Sequence, residues 1–268
     1  MLGGVTFATL SVDGRCFRYN SDHDACRQCG VVVMGVDKSA RRVRQMFGEI
    51  ATRYDLLNRL LSAGIDRRWR RRTAHLVPPG GGPILDVCTG TADLALAYWR
   101  EGGGHVRVVG ADFCRPMLVQ GERKIRKAGA SESVSLVEAD ATRLPFAADV
   151  FEVVCVAFGL RNVCDTDRAL CEMVRVCRPG GRVAVLEFAL PQARPLQSVY
   201  GWYFRRLLPR IGQVLARNRQ DAYNYLPASV GEFPQREALS RRMELAGLRE
   251  VRYYVFTLGI ATLHVGVK

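Results

Sequence analysis

The feature that most constrains this chain is a regular alternation of short apolar runs with amphipathic stretches between residues 83 and 188. Pro83 to Val87, Arg107 to Asp112, Val134 to Glu138, Val150 to Phe158 and Arg182 to Phe188 read as strands. Thr91 to Arg100, Pro116 to Ala128 and Thr166 to Cys177 read as helices between them. The last of these ends at Arg178-Pro179-Gly180-Gly181, a stop signal. Val150 to Phe158 is almost continuously apolar, as a strand covered on both faces requires. Such alternation predicts an α/β fold, a doubly wound and mostly parallel sheet with helices on both faces. Further on, Gln235 to Ala246 reads as a helix ending at Gly247. Arg249 to Thr257 and Ile260 to Val267 read as an antiparallel pair around Leu258-Gly259. Ahead of the alternation, Val43, Met46, Phe47, Ile50, Leu57 and Leu61 recur at helical spacing over Lys38 to Leu61, with a break expected at Asp55 to Asn58.

Composition narrows the class. The 268 residues are 48% hydrophobic and 24% charged, which excludes a disordered, collagen-like or coiled-coil chain. No run of eighteen apolar residues occurs, so no transmembrane helix is expected. The nine cysteines are odd in number, and several sit in apolar runs such as Val-Val-Cys155-Val-Ala. They read as small hydrophobes of a reducing compartment. Residues 1–36 lack a clear period and read as a poorly structured extension before a domain at 37–268, with Met34 as an alternative start. Their Cys26-Arg-Gln-Cys29 is a lone pair, with only His23 and Cys16 near it. That is a poor set for zinc, and no metal site is expected.

The chemistry-bearing segments follow strand ends. Leu85-Asp86-Val87-Cys88-Thr89-Gly90-Thr91-Ala92-Asp93 leaves a strand, turns tightly and enters a helix. Small residues there allow a ligand to approach backbone at a helix N-terminus. The three-glycine dinucleotide spacing is absent, and an ordinary strand–helix turn would look similar. Asp112 closes the next strand, where a carboxylate accepts from ribose hydroxyls or caps the following helix. Asp140-Ala141 ends the third. All three lie at strand carboxyl ends, the ligand edge of such sheets.

These segments, in this order, together with Glu138-Ala-Asp140-Ala141-Thr-Arg-Leu-Pro145-Phe146 and Arg178-Pro179-Gly180-Gly181-Arg182, resemble class I S-adenosylmethionine-dependent methyltransferases. Phe158-Gly159-Leu160-Arg161-Asn162-Val163 is similar to the hallmark of the quinone-ring C-methyltransferases of menaquinone and ubiquinone biosynthesis. Met46-Phe47 with Tyr54-Asp55 and Asn58 matches the N-terminal motif of that family. Leu208-Pro209 with Gly212, Tyr223 with Tyr225-Leu226, Phe233-Pro234 and the ending Gly259 to Gly266 match as well. The resemblance covers about residues 40–268. Within the family the segment Asp86 to Asp93 looks closer to the menaquinone branch, since ubiquinone-side relatives carry more glycines at 88, 89 and 92. Ala157 stands where some relatives have a Ser at the cofactor.

The resemblance implies a seven-stranded Rossmann-like sheet and S-adenosylmethionine as cofactor. It implies methyl transfer to a ring carbon of reduced demethylmenaquinone, the last step of menaquinone biosynthesis, with a ubiquinone-pathway or bifunctional enzyme as the alternative. Gly90, Thr91 and the backbone around them would hold the methionine moiety. Asp112 would bind the ribose, and Asp140 and Ala141 the adenine. Asp86 belongs to the same cofactor site and orients its loop. Arg161 is the candidate catalytic residue, stabilising a quinol oxyanion; the alternative is that it only pairs with a carboxylate such as Glu187. Tyr54, Asp55, Asn58 and Tyr225 would shape the pocket. His264 is a lone strand histidine, structural or proton-moving.

The net charge of +13 needs a reason, and two aromatic–basic stretches stand out, Arg67 to Arg72 around Trp69 and Trp202 to Arg206. A solvated helix face accounts for part of it. Contact with an anionic membrane surface accounts for the rest, since a polyprenyl quinol lives in the bilayer. The expected setting is cytoplasmic, peripheral at the inner face of a bacterial-type plasma membrane, with a homodimer open to it. An RNA methyltransferase would also suit the charge, but no RNA-binding module is recognisable, so no nucleic-acid partner is expected. A cofactor-binding scaffold without turnover is the other rival.

Overall fold

A computed structural model of the chain describes residues 39–62, 64–191, 225 and 228–268, with Ser11–Val12 and Arg15–Cys16. The chain divides into two units, Met1–Gly35 and Val36–Lys268. In the first, the two-residue strands β1 (Ser11–Val12) and β2 (Arg15–Cys16) pair antiparallel. Cys26, Cys29, the stretch Trp202 to Arg206, and the motif residues Leu208, Pro209, Gly212, Tyr223 and Leu226 lie outside the described residues.

The second unit is built on one sheet of seven strands: β3 (Ile84–Val87), β4 (Val108–Asp112), β5 (Val134–Glu138), β6 (Phe151–Ala157), β7 (Cys177–Phe188), β8 (Arg249–Phe256) and β9 (Ala261–Val267). Their spatial order is β5-β4-β3-β6-β7-β9-β8. β3 to β7 run parallel, and β9 joins β7 and β8 antiparallel. The order reverses at β3, which has β4 on one side and β6 on the other. That reversal opens a crevice at the strand carboxyl ends.

Burial explains the apolar runs. Ile84, Val153 and Ala184 enter one core cluster, while their neighbours Leu85, Val154 and Val185 enter the other. Successive side chains point to opposite faces, so a strand covered on both must be apolar throughout. One face carries α3 (Ile65–Leu76) and α4 (Asp93–Glu101). The other carries α6 (Thr166–Val176) and α7 (Glu237–Leu245).

Three features refine the sequence reading. The N-terminal helical stretch is two helices, α1 (Ala40–Ile50) and α2 (Tyr54–Ser62), parted by a turn at Ala51–Arg53 rather than at Asp55 to Asn58. Buried Ala51 packs there with Phe47 and Tyr54 onto Cys114 and Met117, and that packing sets the bend. Arg178 to Gly181 does stop α6, but the chain enters β7 at once. A register shift between Phe151 and Val153 accommodates the extra residues, and Gly180 takes φ +73°. The basic run lies on α3, and that helix buries Asp66, Trp69, Arg70, Thr73 and Ala74. Arg70 is therefore no part of the solvated face.

Candidate active site

The crevice is a cleft of about 980 Å³ including its mouth, lined from the carboxyl ends of β3, β4 and β6 and from α1 and α2. It brings together Asp86, Gly90, Thr91, Asp112, Asp140 and Ala141, all six of the residues expected at the cofactor.

The loop after β3 has unusual backbone. Cys88, Gly90 and Ala92 have φ of 53°, 56° and 65°, a left-handed conformation that costs non-glycine residues energy. Two carboxylates hold it. Asp86 Oδ2 accepts from the Thr89 hydroxyl at 2.6 Å and the Ala95 amide at 3.0 Å, tying strand end, loop and first turn of α4 together. Burial pushes the Asp86 carboxyl up to about 7, against those hydrogen bonds. Asp112 accepts from the Gly90 amide through Oδ2 and from the Cys114 amide through Oδ1, both at 2.8 Å. It steadies the loop and the start of α5 (Arg115–Ala128) at once. Burial raises it to about 6. Asp140 accepts from the Thr142 amide and hydroxyl, both at 2.8 Å, and stays exposed at the rim.

Thr91 meets residues that no local pattern announces. Its hydroxyl donates to Asp55 Oδ1 at 2.7 Å and accepts from Lys124 Nζ at 3.0 Å. Lys124 also pairs with Asp55 Oδ2 at 2.8 Å and with Asp93. One lysine of α5 thus clamps α2, the loop and the first residue of α4. Burial opposes ionisation of Asp93, but Lys124 and then Arg70 outweigh it, so its pKa falls below the ordinary value.

Arg161 lies behind the cleft wall and is not among the lining residues. Its Nη1 donates to Glu187 Oε2 at 2.8 Å and to the Phe158 carbonyl at 2.5 Å. Phe158 has φ 60°, so this arginine and the Asn162 amide, at 3.3 Å from the same carbonyl, hold a strained turn. The Phe158 ring meets Phe188 at 4.4 Å and Trp69 at 5.9 Å between centroids. Three sealed polar atoms nearby have no partner among the described residues: Arg161 Nε, Asn162 Oδ1 and the Tyr225 hydroxyl. Tyr54, also lining the cleft, has its phenol raised by burial.

His264 is elsewhere. It is buried between β7 and β8, with Nε2 3.0 Å from the Arg236 carbonyl and its ring stacked on Tyr253. Among the described residues no cluster suits a metal ion.

The sequence profile of the ubiE/COQ5 methyltransferase family matches residues 34–268. The demethylmenaquinone methyltransferase of Thermus thermophilus is 49% identical over 222 residues, 82% of this chain and 99% of that protein. The ubiquinone/menaquinone biosynthesis C-methyltransferase UbiE of Geobacter sulfurreducens is 41% identical over 244 residues, 91% of this chain and 94% of that one. Among solved structures, a SAM-dependent methyltransferase of Thermotoga maritima superposes with TM-score 0.59 at 15% identity, over 84% of this chain and 99% of its own. A phosphoethanolamine N-methyltransferase of Haemonchus contortus in complex with S-adenosyl-L-methionine gives 0.55 at 13%, over 74% of this chain and 52% of its own. The glycine-bearing loop, the carboxylate at the end of β4 and an acid-lined cleft suit a cationic adenosyl donor, and this chain belongs to the ubiE/COQ5 family of S-adenosylmethionine-dependent C-methyltransferases.

Proposed function

We propose that this enzyme methylates a ring carbon of reduced demethylmenaquinone, completing menaquinone. The observation that carries this reading is the aromatic wall of Phe158, packed on Phe188 and Trp69, with the polar side chains of Asn162 and Tyr54 lining the same cleft. An aromatic diol, apolar on its faces and polar at two oxygens, satisfies both parts. Supporting the menaquinone branch are Cys88, Thr89 and Ala92 in the loop and the 49% identity to the Thermus enzyme.

S-adenosylmethionine supplies a methyl group already activated on a cationic sulfur. The chain's own work is alignment and charge stabilisation. Asp112 holds the ribose, Asp140 and Ala141 the adenine, and the backbone around Gly90 and Thr91 the amino-acid end. Asp86 keeps that loop in shape. Arg161, with Nη1 committed to Glu187 and the Phe158 carbonyl behind the cleft wall, holds the turn of Phe158 and Asn162 against the quinol, and its charge favours the oxyanion as the proton leaves. Electron density would then move onto the neighbouring ring carbon; as the C–C bond forms the methyl–sulfur bond would break and S-adenosylhomocysteine leave, after which that carbon loses its proton and the quinol oxygen regains one. The enzyme works, on this reading, as a cytoplasmic protein held peripherally on an anionic membrane, where a polyprenyl quinol resides.

The test is transfer of labelled methyl to chemically reduced demethylmenaquinone, with a reduced demethylated ubiquinone precursor and bulk RNA in parallel. Product from the naphthoquinol alone is expected. Product from both quinols would make the enzyme bifunctional, the alternative consistent with the name of the Geobacter relative. Label in RNA alone would overturn the substrate assignment.

A further inference from the structure

The cleft is lined by four carboxylates, Asp86, Asp93, Asp112 and Asp140, and by one cation among the described residues, Arg70. Arg70 sits on α3 and is 6% exposed. Its Nη1 donates to Asp66 Oδ2 at 2.7 Å, and Asp66 is itself fixed by the Ser62 hydroxyl at 2.8 Å. The guanidinium lies 5.0 Å over the Phe158 ring. Nε and Nη2 donate to no described residue, yet they are not among the sealed unpartnered atoms. One edge of the fork is anchored to Asp66, and the arginine lines the cleft.

S-adenosylmethionine has two cationic groups, sulfonium and ammonium, and one anionic group, its α-carboxylate. Four carboxylates suit the cations. They oppose the anion, which needs a cation of its own where water is excluded. Two other bases close to the loop are already engaged. Lys124 is held by Asp55, Asp93 and Thr91. Arg161 is held by Glu187 and lies behind the wall. The planar fork of an arginine matches a carboxylate through two parallel donors. We propose that Arg70 binds the α-carboxylate of S-adenosylmethionine through its Nε–Nη2 edge and so fixes the amino-acid end of the donor. This rests on the donor assignment and is independent of the acceptor.

The experiment compares two ligands that differ only in the carboxylate, S-adenosylmethionine and its decarboxylated form, by titration calorimetry. Arg70→Met is expected to weaken S-adenosylmethionine by about 10- to 150-fold, the span of charge-assisted hydrogen bonds. The decarboxylated form should change by less than about twofold, since it cannot make those bonds. Arg70→Lys should recover part of the loss. Arg70→Met leaves Asp66 buried and unpaired, so Asp66→Asn with Arg70→Met is measured beside it, and circular dichroism checks folding. Equal weakening of both ligands, or of neither, in the folded double variant overturns the proposal. So would unchanged donor affinity with a shifted pH profile of turnover, which would assign Arg70 to the acceptor oxygen. A wild-type chain that binds neither ligand would sink the donor assignment along with it.

Discussion

Asp86 and His264 are both buried, and burial moves their proton affinities in opposite directions. Asp86 rises from 3.8 to about 7. Its contribution is fully present below 3.8 and is lost as pH rises through about 7, because over that window the folded state holds the extra proton. His264 falls from 6.5 to about 4. Its contribution is present above 6.5 and is lost as pH falls through about 4, because there the unfolded state takes up the proton. Two variants separate them. Asp86→Asn mimics the protonated carboxyl, so its Tm should gain on wild type as pH rises from 3.8 to about 7. His264→Gln should close its Tm gap to wild type as pH falls from 6.5 towards 4. Thermal melts across pH decide both, and parallel curves would remove burial as the cause.

At the scale of elements, α2 is joined to the loop after β3 through Lys124. Lys124→Met leaves Asp55 and Asp93 without their cation and the Thr91 hydroxyl without its donor. The expected cost is about 1–3 kcal/mol. It should appear as faster hydrogen exchange over 54–62, while β3 and β6 keep their protection. Uniform loss across the sheet would mean that the clamp supports the whole domain rather than α2. The loops after β3 and β6 also touch. A Cβ at Gly159 would collide with Cys88, so Gly159→Ala should displace the loop and weaken binding of S-adenosylmethionine. A variant with wild-type affinity would show that the loop yields without consequence.

For the molecule as a whole, the exposed arginines of α3 matter most. Arg67, Arg68, Arg71 and Arg72 face solvent while Trp69 and Arg70 face inward. Trp69 Nε1 donates to Thr257 at 2.8 Å, which anchors this helix to the turn between β8 and β9. No helix among the described residues is long and apolar enough to cross a membrane. Each basic residue near an anionic surface contributes roughly 1 kcal/mol. Co-sedimentation with anionic vesicles should therefore fall when the four are changed to Gln, and should fall for wild type as salt rises. Equal binding to zwitterionic vesicles would argue against an electrostatic surface contact.

Sequence alone determined the sheet, its two covered faces and the edge where ligands bind, because strand period and buried apolar runs are local properties. It also placed Asp86, Gly90, Thr91, Asp112, Asp140 and Ala141 together, because each ends a strand or starts the turn after one. It did not separate the arginines. Asp66, Trp69, Arg70 and Thr73 share a face at helical spacing, a signal present in the run but masked by the charges around it. Which of Arg70 and Arg161 lines the cleft depends on where Glu187 arrives from β7, twenty-six residues beyond Arg161. That Lys124 closes on Thr91 depends on how α5 docks, thirty-three residues beyond it. Charge pairing across such separations is a property of packed elements, so only the tertiary structure decided it.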